Sequence, residues 1–165
     1  MQFRRLQQAY TLVELMITLT IMSFLLLACA PFLADWTYSS QVKDAQSKLL
    51  AGYGLAKALA LRNPDAAQSN QTAAGIKVVI GASLSTVYVC KGDPSLSGCA
   101  SSGANKLWSA DFPSAVALTL GGSSVTASSS VTVSLNNRGV PTTGTVPSYT
   151  LARGVSANDA TGSLL

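Results

Sequence analysis

The N-terminal part of the chain is dominated by one long run of apolar residues. Residues 10–33 are almost wholly apolar, and Glu14 is the only charged side chain among them. A bilayer core requires about 20 apolar residues in a helix, so the run is long enough to cross a membrane. Arg4 and Arg5 precede it and place the N-terminus on the cytoplasmic side. The run is too long for the apolar region of a secretory signal, and no small-x-small cleavage motif closes it.

A helical repeat continues beyond the apolar run and predicts an amphipathic helix. Small or apolar positions recur at spacings of three and four residues, at Trp36, Ser39, Val42, Ala45, Leu49, Tyr53, Ala56 and Leu59. Asp44 and Lys48 lie one turn apart, and we expect them to pair on the outer face. Pro31 has no backbone donor, so we expect a kink there without an end to the helix. Asn63-Pro64-Asp65 predicts the end of one helix of about 50 residues.

From Gly75 onward the apolar pattern changes from helical spacing to short runs typical of strands. These runs are rich in β-branched or apolar residues and are separated by Gly, Ser and Pro. They predict strands at Ile76–Ile80, Thr86–Cys90, Lys106–Trp108, Val116–Leu120, Val131–Leu135 and Tyr149–Leu151. We expect a turn at 136–139, a mobile loop or hairpin end at 121–130, and a loose tail at 156–165. The pattern predicts an α+β fold in which the second half of the helix packs on a β-rich domain.

The start of the apolar run resembles the N-terminus of type IV pilins. Residues 9–15 read Ala-Tyr-Thr-Leu-Val-Glu-Leu after a short basic leader, with Ala9 where Gly is usual and Tyr10 where Phe is usual. The resemblance implies that a prepilin peptidase cuts between Ala9 and Tyr10 and that the new amine of Tyr10 is N-methylated. It also implies that Glu14 pairs with this amine on a neighbouring subunit. A buried carboxylate is tolerable only when it is paired, and Pro31 matches a proline at which the family helix partly unwinds on assembly.

The resemblance also implies a domain organisation and a location. The expected parts are a leader at 1–9, a transmembrane and polymerisation helix at 10–33, the extracytoplasmic half of the same helix at 34–63, and a β-rich globular head at 64–165 that forms a small antiparallel β-sheet domain, as in the pilin fold. The protein is expected in the inner membrane as a single-pass chain and then in a periplasmic or extracellular filament. Its expected partners are other pilin subunits, the prepilin peptidase and methylase, and the inner membrane before assembly.

Two of the three cysteines flank a short loop. Because the compartment beyond an inner membrane is oxidising, we predict a disulfide between Cys90 and Cys99. Two free thiols are the alternative, and a metal site is disfavoured because the chain contains no histidine. Cys29 lies within the apolar run, where we expect it to act as a small apolar residue.

The composition argues against enzymatic chemistry. Without histidine the chain cannot build a Ser-His-Asp or Cys-His arrangement, and it has no phosphate-binding glycine motif. We therefore predict no catalytic residue, no cofactor and no metal. The formal charge of +4 includes two leader arginines, so the processed chain has only a weak excess of positive charge with which to bind nucleic acid.

Three functions remain open on the sequence alone. The first is a minor pilin of a type IV pilus or a type II secretion pseudopilus, because the chain resembles the GspH/FimT branch at Trp36, Leu61-Arg62-Asn63, the segment between Cys90 and Cys99, and residues 137–141. A major type IV pilin is its alternative. The second is DNA binding of the FimT type used in natural transformation, which would employ Arg138 and Arg153 with Lys91 and Lys106. Four scattered cations predict weak, salt-sensitive contacts, and solvated surface charges are the alternative. The third is a plain anchored domain with no role in assembly.

Overall fold

The described part of the chain consists of one long helix followed by eight strands. The computed structural model describes residues 11–126, 128–153 and 159–164. The helix α1 spans Leu12–Arg62. The strands are Ala74–Ile80 (β1), Leu84–Lys91 (β2), Lys106–Pro113 (β3), Ala117–Leu120 (β4), Ser123–Val125 (β5), Ser130–Leu135 (β6), Ser148–Ala152 (β7) and Ala160–Ser163 (β8). The α+β prediction is confirmed.

Both ends of α1 are capped by neighbouring polar residues. At the start, the Glu14 backbone amide donates to Thr11 Oγ1 at 3.2 Å, which satisfies one of the free amides of the first turn. At the other end, Asn63 has a φ of 47°, and its backbone amide donates to the Leu59 carbonyl at 3.0 Å, an arrangement that commonly ends helices. The helix therefore ends one residue before the expected boundary, and its backbone passes through Pro31 without interruption. The kink at Pro31 stays a prediction.

The chain divides into two compact units, one up to Trp36 and one from Thr37 onward. In the described part of the first unit, large apolar side chains are exposed all around the helix, which is long and apolar enough to be a candidate membrane span. The second unit contains the rest of α1 and all eight strands, and it is called the head here.

The head contains two antiparallel four-stranded sheets, which confirms the expected antiparallel β-sheet domain. The first has the strand order β3-β2-β1-β6, and the second has the order β5-β4-β7-β8. In the first sheet, Ile76 lies between Val89 on β2 and Val133 on β6, and these three side chains are buried. The second sheet reaches the helix through Gln46, whose Nε2 donates to the Tyr149 hydroxyl at 2.8 Å.

One stripe of α1 supplies the helical side of the head core. The buried positions follow the helical period and are Val42, Ala45, Leu49, Tyr53, Ala56 and Ala60. Trp36, which we expected on the same face, is 69% exposed, and Ser39 is only half-buried. The buried face therefore begins at Val42 and not at Trp36 as we expected. The helical spacing of apolar residues extends further towards the N-terminus than the burial does.

The helix approaches the first sheet closely at Gly52. A Cβ at this position would lie 3.1 Å from the side chains of both Trp108 and Val87, so the absence of a side chain allows the strands to pack against the helix backbone. Tyr53 beside it is also buried, and this burial raises the pKa of its hydroxyl above the usual value.

The expected loose tail at 156–165 is wrong where the structure describes it. Ala160–Ser163 pairs with β7 as strand β8, and Leu164 is fully buried. Gly162 makes this possible, because a Cβ there would lie 2.7 Å from the Tyr149 hydroxyl. A strand of small and hydroxylated residues carries no apolar alternation, which is why the sequence pattern missed it; residues 156–158 and 165 lie outside the described residues.

The segment 121–130 forms the end of a hairpin. Strand β5 pairs with β4, and Gly121 and Gly122 between them have φ values of 60° and 82°. Two consecutive positive φ values are typical of the tight turns that suit twisted hairpins. Of the two expectations for this segment, the hairpin end is therefore confirmed.

Two predicted pairings are present in the head. Cys90 and Cys99 form a disulfide, and closing a loop of this length contributes about 2–3 kcal/mol in the chain-entropy description. Lys48 Nζ lies 2.7 Å from Asp44 Oδ2. The same ammonium group also donates to the backbone carbonyl of Asp111 on β3 at 2.8 Å, so this ion pair connects the helix to the first sheet.

Adjacent leucines on α1 provide a direct test of which helix face is buried. Leu49 is 1% exposed and Leu50 is 40% exposed. Leu49→Ala is expected to lower the free energy of unfolding of the head by about 2–5 kcal/mol, because it leaves a cavity in the core. Leu50→Ala is the matched control and is expected to change it by less than about 1 kcal/mol. Denaturant titration of the detergent-solubilised chain measures both, and equal losses would contradict the assigned face.

Candidate assembly and interaction sites

Glu14 lies in the first turn of α1, on a helix whose neighbouring side chains are apolar and exposed. A carboxylate in a first turn interacts favourably with the helix dipole, but this does not compensate for its transfer into lipid. Within the described ranges, no lysine or arginine forms an ion pair with Glu14. The proposed cleavage residues Ala9 and Tyr10 lie outside the described residues, so the pairing of Glu14 with the Tyr10 amine stays a prediction.

The other polar side chains of the apolar segment have their hydrogen bonds within the helix. Thr18 Oγ1 donates to the Leu15 carbonyl at 2.9 Å, and Ser23 Oγ donates to the Leu19 carbonyl at 2.8 Å. Thr20 donates to the helix backbone in the same way. Polar groups in lipid must be satisfied internally, and these hydroxyls are. Glu14 is therefore the group in this segment that calls for a partner from outside the helix.

Asp93 in the disulfide loop and Asp111 on β3 make hydrogen bonds that stabilise local structure. Asp93 Oδ1 accepts from the Ser95 amide at 2.9 Å and from Ser95 Oγ at 2.7 Å, which is a local turn of the kind that aspartate favours. Asp111 Oδ1 accepts from Thr86 Oγ1 across two strands at 2.6 Å. No cluster of three His, Cys, Asp or Glu residues that could hold a metal ion occurs in the described ranges.

Three of the four cations proposed for DNA binding lie towards the C-terminal end of α1. Lys91 Nζ is 3.7 Å from Asp65 Oδ1, just beyond the end of the helix. Lys106 pairs in register with Cys90, the residue before Lys91. Arg138 lies in the predicted turn, where its backbone amide donates to Asn136 Oδ1 at 3.0 Å.

The turn that carries Arg138 is fixed against this end of the helix. Asn137 Nδ2 donates to the Ala67 carbonyl at 3.1 Å. Gly139 has a φ of 70°, and a Cβ there would lie 3.0 Å from Lys57 Cγ. Lys57 and Arg62 therefore lie at the same end of the head as Lys91, Lys106 and Arg138, and these five residues are called the cationic end here. Lys57 and Arg62 were not among the residues that we expected to bind DNA. The basic residue in the last helical turn was an available signal, because cations are favoured at helix C-termini.

Arg153 lies at a different end of the head. Its guanidinium carbon is 4.9 Å from the centre of the Tyr38 ring, a distance typical of a cation–π contact. Lys57 follows Tyr38 by 19 positions in the helix, which corresponds to about 28 Å along the helix axis. The structure therefore does not bring Arg138 and Arg153 into one site.

An apolar groove runs between the end of α1 and the first sheet. It has a volume of about 320 Å³ and is lined by Leu55, Ala58, Leu59, Arg62, Val89, Leu107 and Trp108. Leu107 is 58% exposed and Leu55 is 45% exposed. A contiguous exposed apolar surface is typical of an interaction site. The sequence pattern placed Leu107 in a strand but could not show that this strand lies at the edge of its sheet.

Comparison with known proteins adds one finding about the N-terminus. A family model described as the prokaryotic N-terminal methylation motif matches residues 4–30. No curated protein and no solved structure matches the chain. The matched residues include the two leader arginines, the expected cleavage position and Glu14. The chain thus carries the N-terminal methylation motif, and this match supports placing it in the type IV pilin-like superfamily.

Proposed function

We propose that the protein is a minor pilin-like subunit of a type IV pilus or of the related type II secretion pseudopilus. The observation that carries the proposal is Glu14, which lies within the matched motif and is the only charged side chain of the apolar run at residues 10–33. In this proposal a prepilin peptidase cuts between Ala9 and Tyr10, and the Tyr10 amine is methylated. Glu14 of one subunit then binds the Tyr10 amine of the next and sets the register between their helices.

The exposed apolar residues around the first part of α1 support assembly through this helix. Lipid can cover them before assembly, and the helices of neighbouring subunits can cover them in a filament. Helices exchange lipid contacts for protein contacts with little change in hydrophobic free energy, so the ion pair of Glu14 would decide the register. Loosening at Pro31 during assembly belongs to the same proposal.

Contacts between the two head segments that resemble the GspH/FimT branch support the minor-subunit role. Asn63 Nδ2 and Asn137 Nδ2 both donate to the Ala67 carbonyl, at 2.9 and 3.1 Å. Gly139 lies against Leu61, since a Cβ there would be 3.6 Å from the leucine side chain. The segments Leu61-Arg62-Asn63 and 137–141 thus pack together at the end of α1.

A second candidate function is DNA binding at the cationic end of the head. It is favoured by the position of Lys91, Lys106 and Arg138 around the same end of α1 as Lys57 and Arg62. Asp65 is the acidic residue paired there, with Lys91. Phosphate contacts by a few lysines and arginines give weak binding that falls steeply with salt.

Processing of the N-terminus gives the most direct test of the pilin proposal. Mass analysis of the protein from native membranes is expected to show loss of residues 1–9 and a methylated Tyr10. Ala9→Gly should be processed as well, since glycine is usual at this position in the family, whereas Ala9→Leu should retain the leader. An intact N-terminus at Met1 in the wild-type chain would instead favour a plain anchored domain.

Substitution of Glu14 tests the proposed ion pair. Glu14→Gln removes the charge but keeps the size, and it is expected to leave a processed protein that stays in the membrane and fails to enter filaments. Val13→Ala is the control on the adjacent position and should assemble normally. Immunoblots of sheared filaments and of membranes measure both pools. Normal incorporation of Glu14→Gln would contradict the pairing role.

The two arginines of the DNA hypothesis lie at different ends of the head and therefore act as controls for each other. Arg138→Ala is expected to weaken binding of the detergent-solubilised chain to duplex DNA, and Arg153→Ala should leave it unchanged. Raising the salt from 50 to 200 mM should lower the affinity by about tenfold or more for three phosphate contacts. Gel-shift titration checks this, and equal effects of both substitutions would argue against a site at the cationic end.

A further inference from the structure

The groove beside the end of α1 has no covering segment in the described chain, and its chemistry defines what could fill it. Its walls are apolar side chains from α1, β2 and β3, with Arg62 at the rim. Lys106 precedes Leu107 at the start of β3. An occupant should therefore present a large apolar side chain next to a carboxylate.

One segment of the same protein has this composition and is exposed. Trp36 is 69% exposed, although tryptophan carries one of the largest apolar surfaces of any side chain. Asp35 precedes it and is also exposed. Neither Asp35 nor Arg62 takes part in an ion pair with another residue of the described ranges.

We propose that Trp36 of one copy docks in the apolar groove of a second copy, with Asp35 of the first facing Arg62 of the second. This contact rests on the proposed function, because it forms between subunits of a filament. It names a head surface as part of the assembly interface in addition to the apolar helix. A tryptophan in an apolar pocket beside an opposite-charge pair is typical of the residues that dominate interface energies.

Cross-linking between two differently tagged copies tests the contact in the full chain. In a Cys29→Ala background, one copy carries Ser40→Cys, one turn after Trp36, and the other carries Ala58→Cys in the groove. Both sites are exposed, and both substitutions are small. A short thiol cross-linker applied to sheared filaments should give a mixed dimer on denaturing gels.

Two controls separate docking from random proximity. Ala115→Cys is an equally small change at an exposed residue beyond the far end of β3, and it should not cross-link to Ser40→Cys. Trp36→Ala in the Ser40→Cys copy should lower the yield with Ala58→Cys by about tenfold or more, and Trp36→Phe should retain most of it. Arg62→Glu should lower the yield about two- to fivefold, and Asp35→Lys in the other copy should restore it.

The outcomes distinguish this contact from the proposed function. Filaments that form without the Ser40–Ala58 cross-link, or with equal cross-linking to Ala115→Cys, overturn the docking while leaving the filament role in place. If Trp36 instead lies in the lipid interface, filaments should form without the Ser40–Ala58 cross-link, and this result also overturns the docking. A yield unaffected by Trp36→Ala also overturns it. A wild-type chain that keeps its leader and forms no filaments overturns the proposed function and this contact together.

Discussion

A single continuous helix must satisfy two different environments, and most of the structure follows from this constraint. Up to Trp36 its large apolar residues are exposed on all sides, which suits lipid or other helices. From Val42 onward one stripe of the helix is buried in the core of the head, while apolar residues on other faces, such as Leu50 and Leu55, stay partly exposed. No break in the helix separates the two regions, so the change of environment is encoded entirely by which faces carry apolar side chains.

The elements that depend on local pattern could be predicted from the sequence, and those that depend on pairing could not. The long helix, its end near Asn63 and six strands follow from periodicity and turn residues. Strand β8 escaped prediction because its residues are small and its stability comes from pairing with β7 and from the space that Gly162 leaves for Tyr149. The exposure of Trp36 was missed for a related reason, since an apolar period shows a face but not what covers it.

The interaction sites, too, could be predicted from the sequence only where a local pattern reveals them. Glu14 stood out because a lone charge in an apolar run is costly, whatever the fold. The cationic end of the head could be predicted only in part, because Lys57, Lys91 and Arg138 are far apart in the sequence. The contacts that hold them at one end of the head are made by Asp65, Asn137 and Gly139. The separation of Arg153 from this end required the structure, since proximity in sequence to the C-terminus had grouped it with Arg138.

The bond from Lys48 to the backbone of Asp111 has a consequence for solubility. Strand β3 is an edge of the first sheet, and open edges invite uncontrolled strand addition and aggregation. By donating to the Asp111 carbonyl on this strand, the Lys48 ammonium group occupies one backbone acceptor of the edge and leaves fewer free groups with which a foreign strand could pair.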